Sequence, residues 1–67
     1  MGMTSEELYV KNIEAGIRAI RLRTKSPKES GVGYSLNKLK EVNVGLYEDY
    51  LAKYKRVVED YNKGGNQ

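Results

Sequence analysis

Sixty-seven residues, 31% of them charged and 39% apolar, with neither cysteine nor histidine, allow one domain at most. A chain so short buries only about 60% of the surface its unfolded form exposes; with no disulfide and no Cys/His zinc site to staple it, oligomerisation or docking on a partner is the remaining support. The same two absences remove the usual general bases and nucleophiles, so we expect no enzyme, no cofactor and no metal.

The first helix is expected over about 4–23. Thr4-Ser5-Glu6-Glu7 fits a capping box, and two glutamates suit the positive end of the helix dipole. Val10, Ile13, Ile17 and Ile20 then recur at the spacing of one helical face. Gly16 lies at the edge of that face. It costs up to about 1 kcal/mol against alanine, which marks it as a point of close approach by another backbone.

The connector is expected over 24–35, TKSPKESGVGYS. Ser26-Pro27-Lys28-Glu29 has the form of a cap with proline at the first helical position, which predicts a short helical turn there. A minimal β contact at Val32–Tyr34 is the alternative. Gly31-Val32-Gly33 lacks the lysine and hydroxyl that complete a phosphate loop, so it reads as a bend, with Ser35 capping the second helix. Twelve residues exceed the roughly 2–8 typical between packed helices, and the extra length suits a neighbour contact.

The second helix is expected over about 36–63, closed by Gly64-Gly65, with a mobile tail over 64–67. Leu36, Leu39, Val42, Leu46, Tyr47, Tyr50, Leu51, Tyr54, Val57, Val58 and Tyr61 occupy a broad arc, with Glu48, Asp49, Lys55, Arg56, Glu59 and Asp60 opposite. One partner helix is too narrow to cover that arc, which again points to self-association. Val42-Asn43-Val44-Gly45 is the weak stretch, where a kink or early break fits the low helix propensity. Asn43 falls within the arc, as a register-setting buried amide or as part of a solvated interface rim. The fold expected is thus all-α: a two-helix antiparallel hairpin with an irregular connector, assembling into oligomers.

Two groups of residues are candidates for contact. Tyr34, Tyr47, Tyr50, Leu51, Tyr54, Val58 and Tyr61 combine apolar area with hydroxyls, the mix favoured at wet protein interfaces. The net charge of +3 is local in origin: Arg18, Arg21, Arg23, Lys25 and Lys28 run without an intervening acid. If the first helix continues to Lys25, then Arg18, Arg21 and Lys25 share a face that could meet phosphate or an acidic partner. Alternatively the cluster is a solvated helix end that offsets its own dipole, with Glu14 partly neutralising it. Acid-first pairs at i,i+4, such as Asp49 with Lys53 and Glu14 with Arg18, read as ordinary surface pairing. No apolar run approaches the roughly 20 residues that span a bilayer, so no membrane contact is expected.

A capped amphipathic helix, a Gly-containing connector and then GYSLNKLKEVNVGLYEDYLAKYKRV form a familiar layout. Over residues 4–62, with Gly33, Ser35, Leu36, Leu39, Val42, Leu46, Tyr50, Lys53, Tyr54 and Val57 at the matching positions, the chain resembles the small head–tail joining (head-completion) proteins of tailed bacteriophages and prophages. The best-known members carry a β-hairpin between their helices, whereas 24–35 has no alternating apolar run to form one. The resemblance implies a structural virion protein that assembles on the portal as a homo-oligomeric ring. It would meet portal or tail components and nonspecifically DNA, and lie in the host cytoplasm before assembly. Two alternatives stand beside it: a small helical hairpin that binds and inhibits a host or bacterial protein, and a nonspecific nucleic-acid binder.

Overall fold

The computed structural model describes residues 2 and 4–65. It holds three helices, α1 (Ser5–Arg21), α2 (Val32–Val42) and α3 (Val44–Gly65), and no strand among the described residues. α2 returns antiparallel along α1, because Val32 lies over Gly16 and the Asn43 side chain reaches Glu6. α3 then runs beside α1 in the same direction, with Tyr50 meeting Glu14 and Arg23 meeting Tyr61. The result is an up-down-up arrangement, 44 × 22 × 13 Å.

The expected two-helix hairpin is therefore corrected to three helices, and the reason sits at Asn43. Its backbone is extended (φ −158°, ψ 94°), which interrupts helical hydrogen bonding between two β-branched valines. The asparagine serves both neighbours. Its N–H donates to the Leu39 carbonyl at 2.7 Å, its carbonyl accepts from the Tyr47 N–H at 3.0 Å, and its Oδ1 accepts from the Leu46 N–H at 3.1 Å. It is the N-cap of α3, a role worth about 1 kcal/mol.

Folding back at Asn43 also covers the broad apolar arc from within. Ile13, Ile17 and Ile20 of α1 join Val32, Leu36 and Leu39 of α2 and Val57 of α3 in one core. Ile13, Ile20, Val32 and Leu39 are the large side chains fully removed from solvent. Tyr47, Tyr50, Leu51, Tyr54 and Tyr61 pack half-buried against that core. The width of the arc thus requires no second copy, and the self-association inferred from it loses that ground.

Helix boundaries arise from local chemistry. At the start of α1 the Thr4 hydroxyl accepts from the Glu7 N–H at 3.1 Å, while Glu7 Oε1 accepts from the Thr4 N–H at 3.0 Å, the expected capping box. α1 ends in a Schellman turn: the Thr24 N–H donates to the Ala19 carbonyl and the Arg23 N–H to that of Ile20. Arg23 occupies the left-handed position there (φ 61°), where glycine is usual. Within the connector Ser26 and Glu29 form a second reciprocal cap around one turn.

α2 starts earlier than expected. Gly31 takes φ 75° as its N-cap, so Val32–Tyr34 form the first helical turn and no β contact. Ser35 is a buried helix residue, 5% exposed, and caps nothing. The early start brings Val32 over Gly16, where a Cβ would overlap Val32 Cγ2 and lie 3.3 Å from the Ser30 carbonyl oxygen. At the other end, α3 continues through Gly64 and Gly65, so those glycines do not stop it; the expected tail at 66–67 lies outside the described residues.

Candidate functional site

α2 accompanies only the first part of α1, so the last turn of α1 and the second half of α3 leave an open groove of about 450 Å³ between them. Its floor is apolar, from Ile20, Ala52, Val57 and the Tyr61 ring. Its rims are basic: Arg21 and Arg23 on one side, Lys53 and Arg56 on the other, with Asp60 among the latter. A shallower depression of about 340 Å³ adjoins it, where Arg18, Arg21 and Lys53 meet Glu14 and Tyr50. Arg21 and Lys53 line both, so the cationic surface is continuous.

The structure divides the basic cluster expected at 18–28. Arg21 lines the groove, and Arg18, one turn earlier on α1, lines the adjoining depression with it. Lys25 does not join them. The Schellman turn carries it to the opposite flank, beside Asn12, Gly16, Ser30 and Gly31. Lys28 is exposed on the connector turn.

Arg23 is occupied within the molecule. Its Nη2 donates to the carbonyls of Asp60 (3.3 Å) and Tyr61 (3.0 Å), and its guanidinium lies 4.7 Å from the centre of the Tyr61 ring. These carbonyls belong to the last turns of α3, whose partial negative charge suits a cation. Arg23 is a clamp between two helix ends more than a free phosphate ligand. Gly64 leaves room for it, since a Cβ there would overlap the guanidinium.

Lys53 and Arg56 were not among the sequence candidates. Arg56 read as part of a solvated face, and Lys53 as the partner of Asp49. Their proximity to Arg21 depends on α3 lying parallel to α1, which no local pattern reveals. One local signal exists: Lys53 and Arg56 are spaced i,i+3 on the flank next to Val57. The Lys53 Nζ also lies 4.8 Å from the centre of the Tyr50 ring.

The Tyr50 hydroxyl donates a 2.6 Å hydrogen bond to Glu14 Oε2. That bond, then burial, then the negative charges of Glu14 and Asp49, push the phenol up from 10.0 to about 12. It stays protonated at neutral pH and ties α3 to α1 at the edge of the groove.

The tyrosine face expected as an interface is largely turned inward. Tyr47, Tyr50, Leu51, Tyr54, Val58 and Tyr61 are half-buried in the single chain, whereas Tyr34 is 67% exposed. Among the described residues no three carboxylates converge as a metal site, and no helix is long and apolar enough to cross a membrane. What the arrangement offers chemically is an amphipathic, cationic cleft suited to binding an anionic or acidic group. Comparison with protein-family models, curated proteins and solved structures gives no match for this chain.

Proposed function

We propose that the protein is a non-catalytic structural subunit of the head–tail joining kind, found in the virion and working by docking on portal or tail components. The observation that carries this reading is the division of its surface between two unlike ends. One end presents the basic groove; the other presents a corner where Val42 and Val44 are 51% and 54% exposed. Two distinct contact surfaces on a small helical body suit an adaptor between other proteins. The pattern from Gly33 through Val57 lends support as a likeness of residue classes. Co-sedimentation with portal assemblies encoded by the same genome tests it. Saturable co-sedimentation that weakens when Val42 and Val44 become serine is expected, and no co-sedimentation at about 10 μM, a modest affinity for a specific contact, counts against it.

Nonspecific nucleic-acid binding is the second reading, favoured by the juxtaposition of Arg18, Arg21, Lys53 and Arg56 on two helices. It predicts affinity for duplex DNA that falls steeply with salt, with a logarithmic slope of about −0.9 per phosphate neutralised. The inhibitory hairpin draws less support, because the tyrosines it would present are spent on the chain's own core.

A further inference from the structure

We propose that the basic groove between α1 and α3 receives the acidic, apolar corner of a second copy of this chain, in a head-to-tail contact. The inference rests on the assembly reading above and names its surfaces.

Charge is separated along the long axis of the molecule. The corner end, formed by residues 4–11 and 40–49, holds Glu6, Glu7, Glu41, Glu48 and Asp49 against two lysines, Lys40 and Lys11, the latter beside Glu6 and Glu7. The groove end, formed by residues 18–29 and 52–63, holds nine lysines and arginines against Glu29, Glu59 and Asp60. Helix dipoles account for part of this layout. Glu6 and Glu7 open α1, and Arg18 and Arg21 close it, each offsetting the local dipole. Lys53 and Arg56 stand more than two turns before the end of α3 at Gly65, beyond the reach of that explanation. Because α1 and α3 run parallel along a body 44 Å long, the two ends cannot meet within one chain. Between two copies they can.

Apolar surface is distributed to match. Leu8 (45%), Val42 (51%) and Val44 (54%) are three of the five exposed large hydrophobic residues, and all three belong to the corner end. Ile20 and Val57 are spent on the chain's own core at 1% and 6% exposure, so exposed Ala52 and the half-buried Tyr61 ring supply the complementary apolar surface between the cationic rims. An apolar centre ringed by opposite charges is the composition of a specific protein contact, and charge complementarity also fixes its direction. A DNA backbone would use the rims and leave the apolar floor without a partner. Joined end to end, successive copies make a heterologous contact that propagates into a ring or a filament, whereas an antiparallel pair exchanging both contacts would stop at a two-fold dimer.

The test uses two charge-neutralised variants of the whole chain, Arg21→Gln/Arg56→Gln and Glu41→Gln/Glu48→Gln. All four positions are solvent-exposed, and helix content by circular dichroism checks that each variant folds. Sedimentation velocity of the wild-type chain at about 20 mM salt should show species that grow with concentration and revert to monomer near 0.5 M, where screening is short-ranged. Each variant alone should associate about tenfold more weakly. Mixed in equal amounts, the two should form a one-to-one dimer and nothing larger, because only one groove and one corner remain competent. A wild-type chain monomeric at about 1 mM, the weak limit for association, overturns the proposal. So does association indifferent to salt and to both variants, a mixture that stays monomeric, or duplex DNA binding through Arg21 and Arg56 by a chain that stays monomeric. Portal co-sedimentation at about 0.5 M salt, where the self-contact is screened, reads the broader assembly role separately, so either result can fail while the other stands.

Discussion

The two ends of this molecule are held together by different forces. At the corner end three helices meet, and Ile13, Leu36 and Leu39 are packed between them with almost no exposure. At the groove end α2 is missing. There α1 touches α3 over Ile20 and Val57, and the contact is finished by a polar clamp, Arg23 on the carbonyls of Asp60 and Tyr61. A 67-residue chain has apolar residues enough for one three-helix layer. Where that layer stops, the two remaining helices separate into the groove, and the residues free to line it are charged.

Core truncations should expose this contrast most strongly. Leu39→Ala at the three-helix end is expected to cost about 2–5 kcal/mol, comparable with the total stability of so small a domain, and to abolish a cooperative urea transition. Val57→Ala at the groove end removes less apolar volume from a less enclosed site, so about 1–2 kcal/mol is expected and the transition should survive.

Caps come next. Asn43→Ala should lose about 1 kcal/mol and fray the first turn of α3, seen as lost amide protection at Leu46 and Tyr47. Its distant counterpart, Arg23, separates strain from clamping. Arg23→Ala keeps a side chain at φ 61° and loses the contacts to α3, so it should be destabilised by about 1–2 kcal/mol. Arg23→Gly loses the same contacts but relieves the backbone, and should be about 1 kcal/mol more stable than the alanine variant. Equal stabilities for the two would show that the left-handed turn carries no strain.

The smallest effect expected belongs to Tyr50, at the border between the two regions. Its phenol is raised from 10.0 to about 12 in the folded chain, so the folded state holds the proton more tightly. The associated stability is fully present below pH 10 and is lost as pH rises through about 12. Tyr50→Phe should flatten the alkaline limb of a stability profile, and tyrosinate absorbance should show one late-titrating phenol missing.

Much of the three-helix end is legible in the sequence, because its signals are local. Thr4 with Glu7 announces the start of α1, and Gly16, poor as a helix former, marks where Val32 and Ser30 press against α1. Val42–Gly45 reads as weak helix, and asparagine is a preferred cap. Yet a single continuous helix satisfies the local pattern equally well. What decides for a break is tertiary: Asn43 bonds Glu6, and Leu36 and Leu39 reach the isoleucines of α1. The groove is less legible still. Arg23 sits where glycine is the ordinary choice, and its partners lie 37 and 38 residues away. Lys53 and Arg56 join Arg21 only because α3 runs parallel to α1. The basic run at 18–28 points toward the correct end of the molecule but includes Lys25, which the end of α1 turns aside.

The head-to-tail contact is tested most directly by an intermolecular distance. The chain has no cysteine, so Ser5→Cys accepts a single spin label at the corner end. Mixed with an isotope-labelled, unmodified copy at low salt, the label should broaden amide signals around Arg21, Lys53 and Arg56 in that copy, and high salt should restore them. Broadening confined to the corner residues of the second copy, or none at all, would contradict the account.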